Sequence, residues 1–492
     1  MVQRAGISVS VRGRLGNERG VKREAGQPFR LLLLGNFSGR LQKPSIERPR
    51  RVDITELEQL FEPFGAQVEV PTLDGGVEVL RPRSLEDLHP DALLGSVRAL
   101  AEGSELMRAL SATSVASDTL ARARAYLSRF GEMPRTAPPT AGTAEPGDAN
   151  TLQRLLGKAP AAAPAERPNF LSALLEDAVR GHKVDPPGGE RDALKAALLA
   201  VLSEGLTRVL QTPAFRELEA NWRGADRVVR ALDTDEELEI RLLDISLPEL
   251  VSRFGNEADP EQTDLHRLLI QSEKPWSLLA AAFQFGNSDA ELTALAGLGA
   301  LAARASGALV ADAAPALLGC DEAAELEDPR LWSERAPSPL FHAIRESPLG
   351  KHIGLVVPRV LARARYGKKA EPVETLAFEE LNFTHAIARV WSSGAFAVAE
   401  VVGRAFRESG WGFSERLELT LKDLPCETIE REGEHVLVQP AEASFDQRTA
   451  ELVLSRGVMP FMGRRDEASL RLLQLASIAE PRAALAGVDS DA

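Results

Sequence analysis

Residues 28–40 read PFRLLLLGNFSGR. The four leucines Leu31–Leu34 make a short apolar run of the kind that forms a buried strand. The run opens into Gly35-Asn36-Phe37-Ser38-Gly39-Arg40, and a glycine-bearing turn after a buried strand is also how phosphate-binding loops begin. Spacing decides between the two. A Walker loop needs G-x-x-x-x-G-K-[ST], so that backbone amides wrap the phosphates while the lysine and hydroxyl reach charge and metal. Here Gly35 and Gly39 stand too close, Arg40 takes the lysine position and Leu41 comes next. SPLGKH at 347–352 supplies Gly-Lys, but Arg345 holds the first-glycine position and His352 replaces the hydroxyl. No G-x-G-x-x-G occurs. The stretch is a buried strand and its exit turn, with Gly35 and Gly39 expected to shape that turn.

Working outward, VDITELEQLFEPFG (52–65) predicts a helix, with Thr55 and Glu58 at capping-box spacing. AQVEVPTLDGGVEVLRP predicts two strands joined at Asp74-Gly75-Gly76, and residues 84–112 are helical in pattern. Together these make a small α/β unit over 28–130. Before it, residues 1–27 form an extended arm in which Ile7, Val9 and Val11 alternate with Ser8, Ser10 and Arg12. That is the period of a half-buried strand with no partner nearby, suited to adding to another subunit's sheet. After it, 131–189 is rich in Pro, Ala and Gly and predicts a linker. Two short amphipathic pieces interrupt the linker, and in the second Phe170, Leu171, Leu174, Leu175 and Val179 share one helical face.

A larger unit spans 190–492. Its first helix is succeeded by one starting at Pro213, with Thr212 as cap and Phe215, Leu218, Trp222, Ala225 and Val229 on the buried face. Strands are predicted at ELEIRLLDIS, WSLLAAAFQFG and ALVADAAP, with a capping box at Ser246–Glu249 and Ser288–Glu291 capping the Ala/Leu-rich helix that ends near Gly307. Strand and helix alternate, so the fold class is α/β (mixed α+β), with sheets flanked by helices.

The 492 residues carry a net charge of −14, which argues against general binding to nucleic acid or anionic membranes. Two distant cysteines, Cys320 and Cys426, make no disulfide framework, and no apolar stretch approaches the ~18 residues of a membrane span. With no signal-type apolar segment at the start, the expected compartment is the cytoplasm. The seven histidines (His89, His182, His266, His342, His352, His385 and His435) are scattered without HExxH or a His/Cys cluster. No G-x-S-x-G elbow occurs, each cysteine is read as a small core residue, and FEEL at 378–381 as a surface helix or turn. No catalytic residue, cofactor site or metal site is read from the sequence.

Several segments, in order, resemble one family: the contractile sheath of bacterial type VI secretion systems, built from a small and a large subunit (TssB and TssC). PFRLLLLGNFSGR, RPRRVDI and RSLEDLHPDALL resemble the small subunit, with Asn36 where aspartate is usual. FRELEANWRGADRVV (215–229), LEIRLLDISLPEL (238–250), HIGLVVPRVLARARYGKK, FEEL and ARVWSSGAFAVAEVVGRAFRESGW (388–411) are similar to the large subunit. DLPCETI and PAEASFDQRTAELVLSRGVMPF resemble its closing part. Three departures stand out: Ala364-Arg365 where Leu-Pro is common, AAFQFGN (281–287) for the family's DYeF segment, and SERLELTLKD for a glycine-rich stretch.

The resemblance implies two sheath-type lobes fused in one chain, a structural protomer that polymerises around an inner tube and contracts. Covalent fusion would fix a one-to-one ratio at high effective concentration. It further implies contacts with itself, the inner tube, baseplate proteins and the ClpV AAA+ ATPase, with Ile7, Val9 and Val11 as the interface strand and Phe170–Val179 as the ATPase-recognition helix. Two other readings stand beside it: a sheath-like accessory that does not polymerise fully, and a nucleotide-binding regulator or enzyme.

Overall fold

A computed structural model describes residues 27–40, 46–112, 116–130, 189–256, 260–270, 275–333, 338–368, 370–380, 389–413, 417–431, 434–464 and 467–489. The candidate residues Ile7, Val9 and Val11, and Phe170, Leu171, Leu174, Leu175 and Val179, lie outside these.

The first strand, β1 (Phe29–Gly35), is buried along its whole length. It pairs in parallel with β5 (Leu238–Asp244) on one side, Phe29 opposite Leu238 through Gly35 opposite Asp244. On the other side it pairs in parallel with β6 (Leu278–Phe285), Leu31 opposite Leu278 through Leu34 opposite Ala281. The strand from the 28–130 segment is therefore an inner strand of the sheet of the 190–492 segment. The two lobes expected from the sequence share one sheet, because a strand with two apolar faces is stable only where both faces and both edges are covered.

The sheet continues through β7 (Ala308–Ala313), β8 (Ile353–Val357) and β14 (Met459–Gly463), all parallel. It is closed by antiparallel strands at both edges: β2 (Arg50–Val52) beside β5, and β15 (Leu470–Leu472) then β11 (Thr420–Leu421) beside β14. The full order is β11-β15-β14-β8-β7-β6-β1-β5-β2. Helices cover both faces, as in other largely parallel sheets.

Alternation along β1 assigns its leucines to two cores. Leu31 and Leu33, with Phe29, join the core under the helices Gly189–Gln211, Pro213–Ala231 and Gly394–Ser409. Leu32 and Leu34 join the core under Leu247–Asn256, Asp289–Arg304 and Gln447–Ser455. The first core also takes in the helix Arg98–Ser111 and a separate hairpin, β3 (Val68–Pro71) and β4 (Val77–Leu80). Two further antiparallel pairs stand apart from the main sheet: β9 (Val360–Leu361) with β10 (Trp391–Ser392), and the hairpin of β12 (Glu427–Arg431) with β13 (Glu434–Val438).

Local expectations hold where the pattern is strong. Ser246 and Glu249 form their reciprocal cap, the Ser288 hydroxyl accepts from the Glu291 amide, and Pro213 opens its helix. Three are corrected. Asp53, not Thr55, accepts from the amides of Thr55 and Glu56, and the chain then makes a 3-10 turn (Glu58–Leu60) and one short helical turn (Phe61–Phe64) in place of the longer helix. The Thr212 hydroxyl turns back to the Arg208 carbonyl at 2.9 Å instead of capping forward. Of the two glycines in the exit turn, only Gly39 needs its identity: its φ is +70°, and a Cβ there would lie 2.1 Å from the Gln67 carbonyl oxygen. Gly35 sits at the end of β1 in ordinary strand conformation.

Candidate functional site

The exit turn of β1 is filled by the protein's own groups. Ser38 donates its amide to Asp244 Oδ1 at 2.8 Å, where a phosphate would need donors, not a carboxylate. The Trp222 indole donates to the Phe37 carbonyl at 2.8 Å and the Asn221 amide nitrogen to the Asn36 carbonyl at 3.3 Å. Phe37 and Phe64 pack beside Trp222, and Phe61 stacks on it at 3.7 Å. The turn is an anchor between segments far apart in the chain.

A second junction is ionic. Arg363, 2% exposed, sits between two buried carboxylates, Glu219 and Glu380. It donates to Glu219 through Nε (2.6 Å) and Nη2 (3.3 Å), and to Glu380 through Nη1 and, at 3.0 Å, through Nη2. Glu219 also accepts from Arg223 Nε at 2.8 Å, and Glu380 from the Tyr366 amide at 2.9 Å. The Tyr366 hydroxyl takes a hydrogen bond from Arg223, and its ring lies under the Arg363 guanidinium at 4.0 Å.

Burial works against the charge on Glu219, but Arg363 and Arg223 outweigh it and hold that carboxyl below its usual range. At Glu380 burial prevails and lifts the carboxyl despite Arg363. Such a cluster is costly to bury and costlier to leave half-paired, so its effect is to fix one arrangement of the elements that carry it.

The 28–130 segment closes this junction from outside. His89 caps the helix Pro90–Ser96 and meets the Tyr366 ring edge-on at 4.9 Å. Asp91 accepts from the amides of Glu374 and Thr375 at 3.0 and 2.9 Å. Neighbouring arginines on the same 359–365 run pair likewise, Arg359 with Glu442 (2.8 Å from Nε) and Arg365 with Glu427 (3.0 Å) at the base of the β12–β13 hairpin; Arg389, just before β10, meets the same Glu427 at 2.9 Å.

The expected surface element at FEEL is corrected at Phe378 and Glu380, both buried, with only Glu379 of the described residues there exposed. A signal for the cluster does exist in the sequence. Glu219 falls on the apolar face set by Phe215, Leu218 and Trp222, and a carboxylate on a buried face needs a cationic partner. Arg223, one turn on, is a local partner, but that Arg363 supplies the second is not local information.

The other candidate groups have structural surroundings. Cys320 is buried, which pushes its thiol up to about 11, and Cys426 is half-buried. His342 approaches Glu480 at 3.8 Å and His352 the Gly307 carbonyl at 3.1 Å, so each faces a partner other than the other. Among the described residues no group of three or more His, Cys, Asp or Glu is placed to hold a metal ion, and no helix is long and apolar enough to cross a membrane.

One side of these junctions, the side that carries Glu219, Trp222, Asp244 and Arg363, coincides with a known family. The tail sheath N-terminal domain family described as VipB (EvpB/VC_A0108) matches residues 192–478. The chain belongs to this tail sheath family. Among curated proteins it is similar to the type VI secretion system sheath protein TssC1 of Pseudomonas aeruginosa, 29% identical over 310 residues that cover 59% of this chain and 61% of that protein. The chain thus spans about three fifths of the length of that relative. Sheath-family membership places it among structural proteins and not enzymes. The tail sheath match begins at residue 192, so β1, β2 and the β3–β4 hairpin lie upstream of it and yet build its sheet and core.

Proposed function

We propose that this chain is a single-chain protomer of a type VI secretion sheath. Residues 28–130 act as the small subunit and 190–492 as the large one. Protomers polymerise in the cytoplasm around an inner tube on a baseplate, and contraction of the lattice drives the tube. Phe170–Val179 in the 131–189 linker is the segment offered to a ClpV-type ATPase, and Ile7, Val9 and Val11 form the strand that joins neighbours. The observation that carries the reading is the seat of β1 between β5 and β6: a tail sheath domain takes an inner strand from a segment that resembles the family's small subunit. The ionic junction supports it, since a lattice that transmits force needs protomers with one fixed internal arrangement.

Negative-stain microscopy of the purified full chain tests this. A sheath protomer forms hollow tubes or rings. Monodisperse small particles under all salt and concentration conditions would reject the polymerising reading in favour of an accessory role.

A further inference from the structure

β1 fills a slot between β5 and β6, and four like residues in a row do not say where along that slot it sits. In most strands a one-residue slip is penalised because it turns the apolar side chains to solvent. Here Leu31 and Leu33 face one core and Leu32 and Leu34 the other, so a slip only exchanges leucines between two buried interiors. A slide of two residues keeps even that assignment. The leucine run supplies burial without register.

Arg30 breaks the degeneracy. It is 3% exposed and lies opposite Glu239, itself 7% exposed. Its Nε donates to Glu239 Oε2 at 3.0 Å and its Nη1 to the Pro275 carbonyl at 3.4 Å, with the guanidinium 3.9 Å over the Trp276 ring. Its backbone is tied to the same place. The Arg30 amide donates to Ser277 Oγ at 3.1 Å, and the Ser277 amide to the Arg30 carbonyl at 3.0 Å. Ser277 immediately precedes β6, so this one residue of β1 is held by both walls of the slot.

Each displaced register spoils the pairing. A slide of two residues one way sets Arg30 opposite Arg241, and the other way opposite Glu237, before β5 begins. In both, Glu239 is left with Arg241 and the Trp276 ring loses its cation. A slip of one residue turns the guanidinium to the face of Phe29, which packs among the rings of Phe406, Trp411 and Phe413. A guanidinium buried away from its carboxylate is costly, while the leucines are indifferent.

We infer that Arg30 is the specificity-determining residue of this slot: its pairing with Glu239 over Trp276 selects the one register in which β1 joins the two segments. The turn beyond the strand, with the Ser38 amide on Asp244 and the Trp222 indole on the Phe37 carbonyl, is the competing pin.

In the full-length chain, Leu242→Cys is combined in turn with Leu31→Cys, Leu32→Cys, Leu33→Cys or Leu34→Cys. Each is refolded under mild oxidation and its disulfides are mapped by mass spectrometry. Leu33 lies opposite Leu242, so only that pairing should link, and a link at another pairing with Arg30 in place overturns the inference. Adding Arg30→Met or Arg30→Glu should cut the Leu33 link several-fold and spread it to the other pairings. Arg30→Glu with Glu239→Arg should restore the Leu33 link alone, and its failure to do so would overturn the pairing with Glu239. A residue that only stabilises would lower the unfolding midpoint and leave the pattern unchanged. A Leu33-only pattern in both Arg30→Met and Arg30→Glu therefore gives the register to the turn and overturns the inference. The Arg30 variants without added cysteines are followed by hydrogen exchange of residues 28–37, which covers cysteine pairs that do not fold. One exchange envelope is expected for the wild type and the charge swap, and two for Arg30→Met. A single envelope for Arg30→Met also overturns the inference.

Discussion

Arg363 holds Glu219 across 144 residues of sequence, its Nε 2.6 Å from Oε1, in a place closed to solvent on both sides. The contact joins the helix Pro213–Ala231 to the run after β8 and, through Tyr366 and His89, to the 28–130 segment. Replacing the guanidinium by an apolar side chain strips Glu380 of the cation that hydrogen-bonds it and leaves buried Glu219 with Arg223 alone. Arg363→Met should therefore cost about 3–5 kcal/mol, read from urea unfolding. Arg363→Lys should recover only part, because one ammonium cannot reproduce the paired hydrogen bonds to both acids. A loss within error for Met would mean the cluster is not a constraint on the fold.

Asp312, at the end of β7, accepts from the Ala395 amide at 2.9 Å and so anchors the start of the helix Gly394–Ser409. Burial raises its carboxyl to about 7. The folded value lies above the unfolded one, near ~3.9, so between those limits the folded state holds a proton that the unfolded state has released. Stability from this group is full below pH ~4, falls as pH rises, and is lost above ~7. Asp312→Asn removes that slope. Across this window the variant should gain on wild type with rising pH, by on the order of 1 kcal/mol per unit at most. Parallel curves of unfolding midpoint against pH would contradict this.

The two glycines of the opening turn should behave differently. Gly39→Ala forces a Cβ into the Gln67 carbonyl at a positive φ and should destabilise by about 1–3 kcal/mol. Gly35→Ala brings its Cβ only to 3.4 Å from Asn221, an ordinary contact, and should change stability by well under half of that. Equal losses measured by thermal unfolding would show that the turn is held in some other way.

What was legible in the sequence is what adjacent residues decide. Four leucines announced a buried strand, apolar spacing marked the helix from Pro213, and Ser246 with Glu249 marked a helix start. Two kinds of information were not local. Strand order was one: the partners of β1 are parallel strands more than 200 residues away, as the Arg30–Glu239 ion pair beside them shows (|i−j| of 209). A gap in sequence that large, containing a linker, looks like a domain boundary. Charge pairing was the other. In isolation FEEL has the composition of a solvated turn, and only the fold brings Arg363 to Glu380. The cap at residues 53–56 was misplaced by two positions because Asp53 and Thr55 both carry capping oxygens, and only the backbone path selects between them.

The central claim is that residues 28–130 complete the sheet of the tail sheath domain within one chain. Arg124 pairs with Glu190 and Arg191 donates to the Leu110 and Ala112 carbonyls, so the folded parts on either side of residues 131–188 are held together. A site-specific protease sequence placed within residues 131–188 and cleaved after purification tests the claim directly. The account predicts that both fragments co-elute in one-to-one ratio under native conditions and unfold in a single transition. Fragments that separate on a sizing column, each keeping its own folded spectrum, would contradict it.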